Sequence, residues 1–402
     1  MTFDADVVIV GGGPAGTATA LALTRVAPGA AARVIVLEKA RFPRDKPCAG
    51  AIGARGDALL REVGVEVDVP GVPVDGMVFR GAEGEVEAAP GRIGRVIRRV
   101  EFDHALARAV ASRGVSVQDG VCVEDIRDDA ADGVAIRTSR GDLSARVVVG
   151  CDGVGSAVRR SMGLGPGALR AQVVEVDTEP VPGDGDRRLL HFDASDRALR
   201  GYAWDFPTVV EGRALVCRGV YRLRGGDGDT GPDVGAVLDA RLRAAGIDPR
   251  ICKNKRYAER GFEPRVPTAM GARMLVGEAA GIDPVTGEGI AQAIEFGVLA
   301  GRFLARLLDR AGAGPLSLAS WHDEVASSRL ARDLRIRSRF AHLYYGRRRP
   351  EVERFFLEAP EALLVGCLHF AARRQDWLQV GGVVARGAAR LLAAGITDAL
   401  AG

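Results

Sequence analysis

The sequence predicts an α/β fold with a parallel sheet near the N-terminus, an inserted β-rich domain and a helical C-terminal segment. Residues 6–10 read DVVIV, a short apolar run typical of a central strand buried on both faces. A glycine-rich turn and an alanine-rich helix to about Val26 follow directly, as expected for a β-α-β unit. Residues 171–221 alternate like half-buried strands, whereas the chain after Pro315 has helical periodicity.

The turn between the first strand and the first helix is GGGPAG, residues 11–16. Glycine at position 11 allows the tight turn, at 13 it lets the backbone approach a pyrophosphate, and at 16 it lets helix and strand pack closely. A second strand, 33–37, ends at Glu38, which can accept hydrogen bonds from both ribose hydroxyls. This pattern predicts a Rossmann-like dinucleotide-binding domain. Its predicted contacts are Gly11, Gly13, Pro14, Ala15, Gly16, Glu38 and Lys39.

The composition excludes several other classes of protein. At 402 residues, 47% of them hydrophobic, the chain is expected to be globular with two or three subdomains. A net charge of +3 is close to neutral for this length, so no nucleic-acid partner is expected. The cysteines are scattered without a CxxC pair, which predicts neither disulfides nor a metal site. No secretory signal and no membrane-spanning run is visible, so we expect a cytoplasmic protein.

The elements after Glu38 do not form a simple repeat. A loop rich in Arg, Pro and Gly covers 41–57, and a Gly/Asp loop covers 225–231. Strands are predicted within 74–97, at 115–118, 121–127, 133–138 and 143–150, within 171–221 and at 274–276; helices are predicted at 101–113, 233–245 and 287–309 and after 315, with breaks near Gly346 and Pro350. The predicted parts are a discontinuous nucleotide-binding domain (1–73, 97–165 and 262–312), a β-rich substrate domain (74–96 and 166–261) and a helical C-terminal segment (313–402).

Three further motifs indicate that the dinucleotide is FAD. Arg99 opens an RxxFD motif, from which its side chain can reach the phosphate or ribityl region, unless it forms only a structural salt bridge. A strand at 147–150 runs into DGxxSxxR, which places Asp152 and Gly153 near the pyrophosphate crevice. The third motif, 275–290, joins a strand end to a helix whose free N–H groups can stabilise the charge of reduced flavin. Its predicted cofactor contacts are Gly277, Glu278, Pro284, Gly287, Glu288, Gly289 and Ile290.

With these motifs the sequence resembles the geranylgeranyl reductase branch of the FAD-dependent oxidoreductases that share the p-hydroxybenzoate hydroxylase fold. The resemblance covers roughly residues 5–310, and two of its motifs are particular to that branch: KPCAG at 46–50 and GYAWDFP at 201–207. Two residues depart from the family pattern. Glu278 stands where Asp is usual, which implies a longer or water-bridged ribityl contact. Asp205 stands at a usually apolar position, so it either points to solvent or meets a polar group of the substrate.

The resemblance also implies roles for residues around the flavin. Cys48 and Ala49 are implied to lie near the flavin on the substrate side, and Ala49 replaces a glycine of the family pattern. Tyr202, Trp204 and Pro207 are implied to wall a cavity over the isoalloxazine ring. We therefore predict a glutathione-reductase-type FAD-binding domain with Cys48, Tyr202 and Trp204 as catalytic residues.

The resemblance favours a reductase, in which a hydride moves from N5 of FADH2 to a carbon–carbon double bond of a hydrophobic, isoprenoid-type substrate. Cys48 or a water is then the predicted proton donor. The alternative is an FAD-dependent monooxygenase that hydroxylates or epoxidises an aromatic or secondary-metabolite substrate. A halogenase is disfavoured because Trp204, Trp321 and Trp377 are far apart. An electron-transfer flavoprotein ranks last because the sequence has no cysteine cluster for iron–sulfur ligation.

The remaining predictions concern partners. The sequence contains no second GxGxxG, so either NAD(P)H visits the flavin transiently or an electron-donor protein supplies the electrons. The apolar stretches within 357–400 are predicted to be amphipathic helices packed on the substrate domain, with peripheral membrane contact as the alternative. The arginine tract within 332–349 is predicted to be a solvated helix face, with a surface for a nicotinamide phosphate, a carrier phosphate or anionic lipid as the alternative.

Overall fold

This computed structural model describes residues 3–129, 132–224, 231–312, 314–346 and 348–371, together with positions 382, 385, 386 and 389. The strands are β1 (Ala5–Val10), β2 (Val34–Glu38), β3 (Ala51–Gly53), β4 (Gly71–Val74), β5 (Gly76–Arg80), β6 (Glu85–Ala88), β7 (Gly94–Ile97), β8 (Ser116–Asp119), β9 (Val123–Asp128), β10 (Val134–Thr138), β11 (Gly141–Gly150), β12 (Arg170–Thr178), β13 (Leu189–Asp193), β14 (Gly201–Val210), β15 (Arg213–Leu223), β16 (Lys255–Arg260), β17 (Ala269–Met270) and β18 (Arg273–Leu275). The helices are α1 (Pro14–Val26), α2 (Ala54–Glu62), α3 (Arg99–Ala111), α4 (Ala157–Ser161), α5 (Val234–Ala244), α6 (Ile290–Ala311), α7 (Trp321–Ser327), α8 (Arg329–Tyr344), α9 (Arg349–Glu358) and α10 (Glu361–Ala371).

The first sheet contains the predicted parallel strands. Its order is β17-β18-β11-β1-β2-β8, and the β9–β10 hairpin continues from β11. Strands β18, β11, β1, β2 and β8 pair in parallel. The DVVIV run lies in β1 at the middle of the order, where Val7, Val8 and Ile9 are fully buried because helices and neighbouring strands cover both faces. The α/β fold class is thus confirmed.

Helices α1 and α6 pack with their backbones unusually close. A Cβ added at Gly297 would lie 2.5 Å from the carbonyl oxygen of Ala15, and one at Gly301 would lie 2.4 Å from that of Thr19. Both glycines are therefore required by the helix–helix approach. The result is that the start of α6 lies beside the glycine-rich turn that opens α1, although about 275 residues separate them in the sequence.

The second sheet has the order β16-β12-β15-β14-β13-β5-β6, and all of its pairs are antiparallel except β13 with β5. A small third sheet, β3-β7-β4, lies at the edge of the nucleotide-binding part. In β14, Tyr202, Trp204 and Phe206 share one face because side chains alternate along a strand. These three side chains belong to a single buried cluster that also contains residues of the C-terminal helices.

The C-terminal helices cover the aromatic face of the second sheet. Phe79 on β5 packs against Phe356 on α9 and Tyr344 on α8, with ring centroids 5.3 Å and 6.4 Å apart. The chain breaks near Gly346 as predicted, but Pro350 lies in the first turn of α9 instead of in a break, since proline fits that position well. The predicted helices beyond residue 371 lie outside the described residues except at positions 382, 385, 386 and 389. Within the described part, no helix has the length and apolar composition needed to cross a bilayer.

Candidate active site

The glycine-rich turn has the geometry of a phosphate cradle. Gly11 has a φ of +107°, and a Cβ there would lie 2.3 Å from the carbonyl oxygen of Cys151. A Cβ at Gly16 would lie 1.9 Å from the carbonyl oxygen of Gly11, so only glycine permits this contact between turn and helix. Gly13 differs from these two glycines. A Cβ at Gly13 would meet no backbone atom, and its nearest neighbours would be the guanidinium groups of Arg99 at 3.5 Å and Arg44 at 3.7 Å. The open space at Gly13, next to two cations and the start of α1, fits a pyrophosphate.

Glu38 lies at the end of β2, where the sequence places it, and it is buried. Its carboxylate accepts hydrogen bonds from the backbone N–H groups of Gly12 (3.0 Å) and Ala40 (3.1 Å) and from Arg44 (3.2 Å). These contacts fix the carboxylate beside the glycine-rich turn, where a ribose would come. Lys39 differs from its neighbour because its side chain is exposed on the surface.

Arg99 forms a structural ion pair and also lies beside the glycine-rich turn. It begins α3, two residues earlier than the predicted start of this helix, and its guanidinium pairs with Asp103 through two contacts of 2.7 Å. Arg44 reaches the same carboxylate at 2.9 Å. Burial alone would lower the pKa of Arg99, but the Asp103 carboxylate outweighs it and raises that pKa. Two fixed positive charges therefore face Gly13, where the diphosphate is predicted.

Two turns from distant parts of the sequence meet here: that of Glu278, predicted to contact the ribityl chain, and that of Asp152 and Gly153, predicted to lie near the pyrophosphate crevice. A Cβ at Gly153 would lie 3.3 Å from Oε2 of Glu278, which also pairs with Lys46 at 3.5 Å. One oxygen of Asp152 accepts the backbone N–H of Ala157 at 2.6 Å and so caps α4. Among the described residues, the other Asp152 oxygen and Oε1 of Glu278 are buried without a hydrogen-bond partner. Unpaired buried acceptors fit the hydroxyl groups of a ribityl chain, so the residues present suit FAD.

A cavity of about 260 Å³ lies between the second sheet, the nucleotide-binding part and the C-terminal helices. The predicted catalytic residues Cys48, Tyr202 and Trp204 all line it, and so does Ala49. Phe206 lines the cavity in place of Pro207, because position 207 lies on the opposite face of β14. The cavity wall also includes the predicted cofactor contacts Gly287, Glu288, Gly289 and Ile290.

The segment 284–289 that enters the cavity is a turn and not the start of the helix. Gly287 has a φ of +65°, and α6 begins only at Ile290. Three tyrosine hydroxyls hold the turn by donating hydrogen bonds to its backbone carbonyls. They are Tyr221 to Pro284 (2.8 Å), Tyr345 to Val285 (2.6 Å) and Tyr202 to Thr286. Tyr202 therefore positions this turn, a contact that its motif did not indicate.

Buried ion pairs hold the same turn from the other side. Asp283, which is 1% exposed, accepts the backbone N–H of Val285 (2.8 Å) and pairs with Arg337 at 2.5 Å. Arg337 also lies 3.4 Å from Glu288, whose second oxygen pairs with Arg55 at 2.6 Å. The prediction of a solvated face is therefore wrong for Arg337. Tertiary packing turns this side of α8 toward the cavity, where the carboxylates compensate the largely buried cation, whose side chain is 16% exposed.

Arg349 is a second exception in the arginine tract. It is buried, pairs with Glu353 at 2.6 Å and donates to two backbone carbonyls of the loop before β14. Arg332, Arg339 and Arg348 are exposed as predicted. The tract is therefore divided between solvent and interior and does not form one continuous basic face.

Sequence reasoning missed a buried carboxyl behind Cys48. Glu175 on β12 accepts the backbone N–H of Cys48 at 2.8 Å and the hydroxyl of Tyr257 at 3.1 Å. Burial raises the pKa of Glu175 from 4.5 to about 7. Burial also raises the pKa of the Cys48 thiol, so the thiol keeps its proton at neutral pH. The only sequence signal for Glu175 is a charged residue among valines, at VVEV.

Asp205 is not a substrate-binding group. It lies on the face of β14 opposite to Trp204 and forms ion pairs with Arg218 (3.0 Å) and Arg241 (3.1 Å). Of the two expectations for this residue, the structure excludes a place in the cavity. The carboxylate is instead compensated by two arginines at the outer side of the second sheet.

Comparison with known proteins agrees with this geometry. Residues 4–200 match the FAD binding domain family. The chain is 28% identical over 354 residues to the digeranylgeranylglycerophospholipid reductase of Methanothrix thermoacetophila, covering 84% of this chain and 88% of that protein. It is 28% identical over 347 residues to the menaquinone reductase of Mycobacterium tuberculosis, covering 76% of each chain. The crystal structure of a geranylgeranyl bacteriochlorophyll reductase-like protein from Thermoplasma acidophilum superposes with a TM-score of 0.67 at 21% identity, covering 84% of this chain and 87% of that one.

The fold and the N-terminal match define the class of the protein: it is an FAD-dependent oxidoreductase. Within that class, the resemblance to the geranylgeranyl reductase branch is confirmed by the similarity to the digeranylgeranylglycerophospholipid reductase, and the Thermoplasma acidophilum structure shows the same fold.

Proposed function

We propose that the protein reduces a carbon–carbon double bond of a hydrophobic, isoprenoid-type substrate. The observation that carries this proposal is the cavity, whose wall is mainly aromatic and aliphatic and which reaches both Cys48 and the 284–289 turn. An apolar chain loses its hydration shell there, and this favours binding at about 25 cal/mol per Å² of buried apolar surface. Two similar proteins are named as reductases of a digeranylgeranylglycerophospholipid and of menaquinone, which supports the same substrate class.

The residues that would hold FAD fall into three groups. Gly13, Arg99 and Glu38 would bind the diphosphate and the adenosine ribose, whereas Asp152 and Glu278 would bind the ribityl chain. The 284–289 turn would face the flavin ring. Bound FAD supplies the hydride for the substrate and receives electrons from a donor. We propose that the donor is NAD(P)H visiting the flavin or an electron-transfer protein.

Cys48 is the proton donor in this proposal. Its side chain lines the cavity, and the raised pKa of the thiol keeps the proton in place until a substrate carbon accepts it. Cys48→Ala is expected to retain FAD and to lower kcat by about 10²-fold, the usual contribution of a general acid. Flavin absorbance gives the FAD content, and product formation gives kcat. Unchanged kinetics would reduce Cys48 to a packing residue.

We further propose a cytoplasmic enzyme that touches a membrane through its C-terminal helices. Helix α8 exposes Ile336 and Leu343, which lie three or four residues from the exposed Arg332 and Arg339 of the same helix, and α10 exposes Leu364 and Leu368. Apolar side chains with nearby cations are typical of surfaces that bind anionic bilayers. Flotation of the protein with anionic vesicles, and its failure to float with neutral ones, tests this contact.

The reaction is tested by anaerobic turnover. FAD-loaded protein is reduced with dithionite and mixed with a geranylgeranyl lipid, and the product is analysed by mass spectrometry. A gain of two hydrogen atoms supports the reductase. A parallel aerobic reaction under ¹⁸O₂ tests the monooxygenase. Incorporation of labelled oxygen there, with no anaerobic product, would overturn the proposal in favour of that alternative.

A further inference from the structure

The buried carboxyl behind Cys48 belongs to a line of ionisable side chains that leads from the cavity to the surface. Tyr257 and Glu175 lie on adjacent strands, β16 and β12, and are joined by the 3.1 Å hydrogen bond. Asp177 follows Glu175 on the same face of β12 and pairs with Arg98 through two contacts of 3.0 Å. Lys255 lies 4.0 Å from Asp177 and 2.6 Å from the exposed Asp45.

This line begins where the proposed reaction consumes a proton. Tyr257 and Cys48 both line the cavity, and Glu175 is bonded to the hydroxyl of one and the backbone N–H of the other. Glu175 is 2% exposed, so its carboxyl does not serve as a solvated surface charge. Buried carboxyls of this kind are typical of functional sites. A donor thiol must also regain its proton after each turnover, and the Cys48 side chain is partly buried in the wall of a mainly apolar cavity.

We infer that Tyr257 and Glu175 form a relay that returns a proton to Cys48 after each turnover. This inference rests on the proposed reduction. In the reaction the S–H bond of Cys48 breaks and a C–H bond forms, while the hydride forms the second C–H bond. The Cys48 thiolate then takes the hydroxyl proton of Tyr257, which lines the same cavity, and Tyr257 takes the carboxyl proton of Glu175. A solvent proton that enters from the Asp177 side restores the Glu175 carboxyl.

The acidities favour transfer in this direction. Burial sets the pKa of Glu175 at about 7 and raises the pKa of the Cys48 thiol above its ordinary value of 9.0, so the net transfer runs from the stronger acid to the weaker one. Burial also raises the pKa of the Tyr257 hydroxyl well above its ordinary value of 10.0, so Tyr257 gives up one proton and takes the next in a single concerted step. Glu175 and Tyr257 act on each other, and the other charged and titratable groups that face them are Cys48, Arg98, Asp177, Cys217 and Glu259. The Cys48 thiol also faces Arg99 and Lys46, both of which lower its pKa. Recharging therefore weakens as pH rises through about 7, where Glu175 loses its proton.

The test compares the first turnover with later ones. Tyr257→Phe and Glu175→Gln keep the shape of each side chain, and Glu179→Gln, an exposed carboxylate just after β12, is the matched control. The first turnover of dithionite-reduced enzyme in excess over a geranylgeranyl lipid should proceed as in the wild type. Steady-state kcat at pH 6 should fall by about 10²-fold in both relay variants. The wild-type decline above pH 7 should disappear in Glu175→Gln.

Several results would overturn the relay. One is a steady-state kcat of Tyr257→Phe equal to that of the wild type, since this variant removes only a hydroxyl and is expected to fold. Equal slowing of first and later turnovers is another, because it would indicate a structural role. A pH profile of Glu175→Gln that still declines above pH 7 is a third. Absence of any double-bond reduction by the wild type would instead refute the proposed function, and the relay with it.

Discussion

Replacing Glu175 with Gln should make stability less sensitive to rising pH. Burial raises the pKa of this carboxyl from 4.5 to about 7 in the folded protein. Because folding raises the pKa of Glu175, its contribution to the free energy of unfolding is fully present below pH 4.5. This contribution falls as pH rises from 4.5 and is lost as pH passes through about 7. Between pH 5 and pH 8 the loss is about 2.5 kcal/mol, from the two pKa values and 1.36 kcal/mol per pKa unit. The glutamine does not titrate, so the variant lacks this loss.

The assay is urea unfolding of the FAD-loaded wild type and variant at pH 5 and pH 8, followed by circular dichroism. The free energy of unfolding of the wild type, relative to the variant, should drop by about 2.5 kcal/mol between the two pH values. Glu179→Gln removes only an exposed ion pair with Arg213 and should shift this difference by less than about 1 kcal/mol. A difference between wild type and Glu175→Gln that is the same at both pH values would refute the burial argument.

Three further predictions concern the cofactor turn, the flavin-facing turn and β14. Gly13→Val should abolish FAD retention, measured as flavin absorbance, because the valine side chain fills the space where the diphosphate is predicted. The circular dichroism spectrum should not change, since the protein atoms around Gly13 leave room for a Cβ. A yellow protein would contradict the placement of the diphosphate. Arg337→Leu should lower the free energy of unfolding by about 3–5 kcal/mol in urea titrations, since it leaves the buried Asp283 carboxylate without its cation, and a smaller loss would show that other groups compensate it. Asp205→Asn should leave KM for a hydrophobic substrate unchanged, because the carboxylate lies outside the cavity; a raised KM would place Asp205 in the substrate site.

The local parts of the site could be predicted from sequence. The GGGPAG turn, the strand before it and the acidic residue at 38 are consecutive or regularly spaced, and their chemistry depends mainly on the backbone. Pro14 is the first residue of α1, as its fixed φ predicts. The motif residues at 48, 202 and 204 line one cavity, although their catalytic roles remain predictions that Cys48→Ala begins to test.

The sequence pattern predicted less well which charged side chains are buried, because packing decides the environment of each charge. Arg337 and Arg339 lie in the same tract, yet α8 turns one toward Asp283 and the other to solvent. Asp205 and Trp204 are neighbours in one motif, yet the alternation of β14 places them on opposite faces. A charge run or a motif does not state which face of an element is buried, so these outcomes required the assembled structure.

The sequence by itself determined the α/β class, the FAD-binding turn and the resemblance to reductases, because these depend on short-range backbone geometry and on motifs. Only the tertiary structure brought Glu175, Tyr257 and Cys48 together, from positions separated by up to about 210 residues. It alone also placed three tyrosine hydroxyls on the carbonyls of the 284–286 turn. The physical reason is that burial and hydrogen-bond partners, which set the pKa and position of each group, come from strands and helices that are distant in the chain.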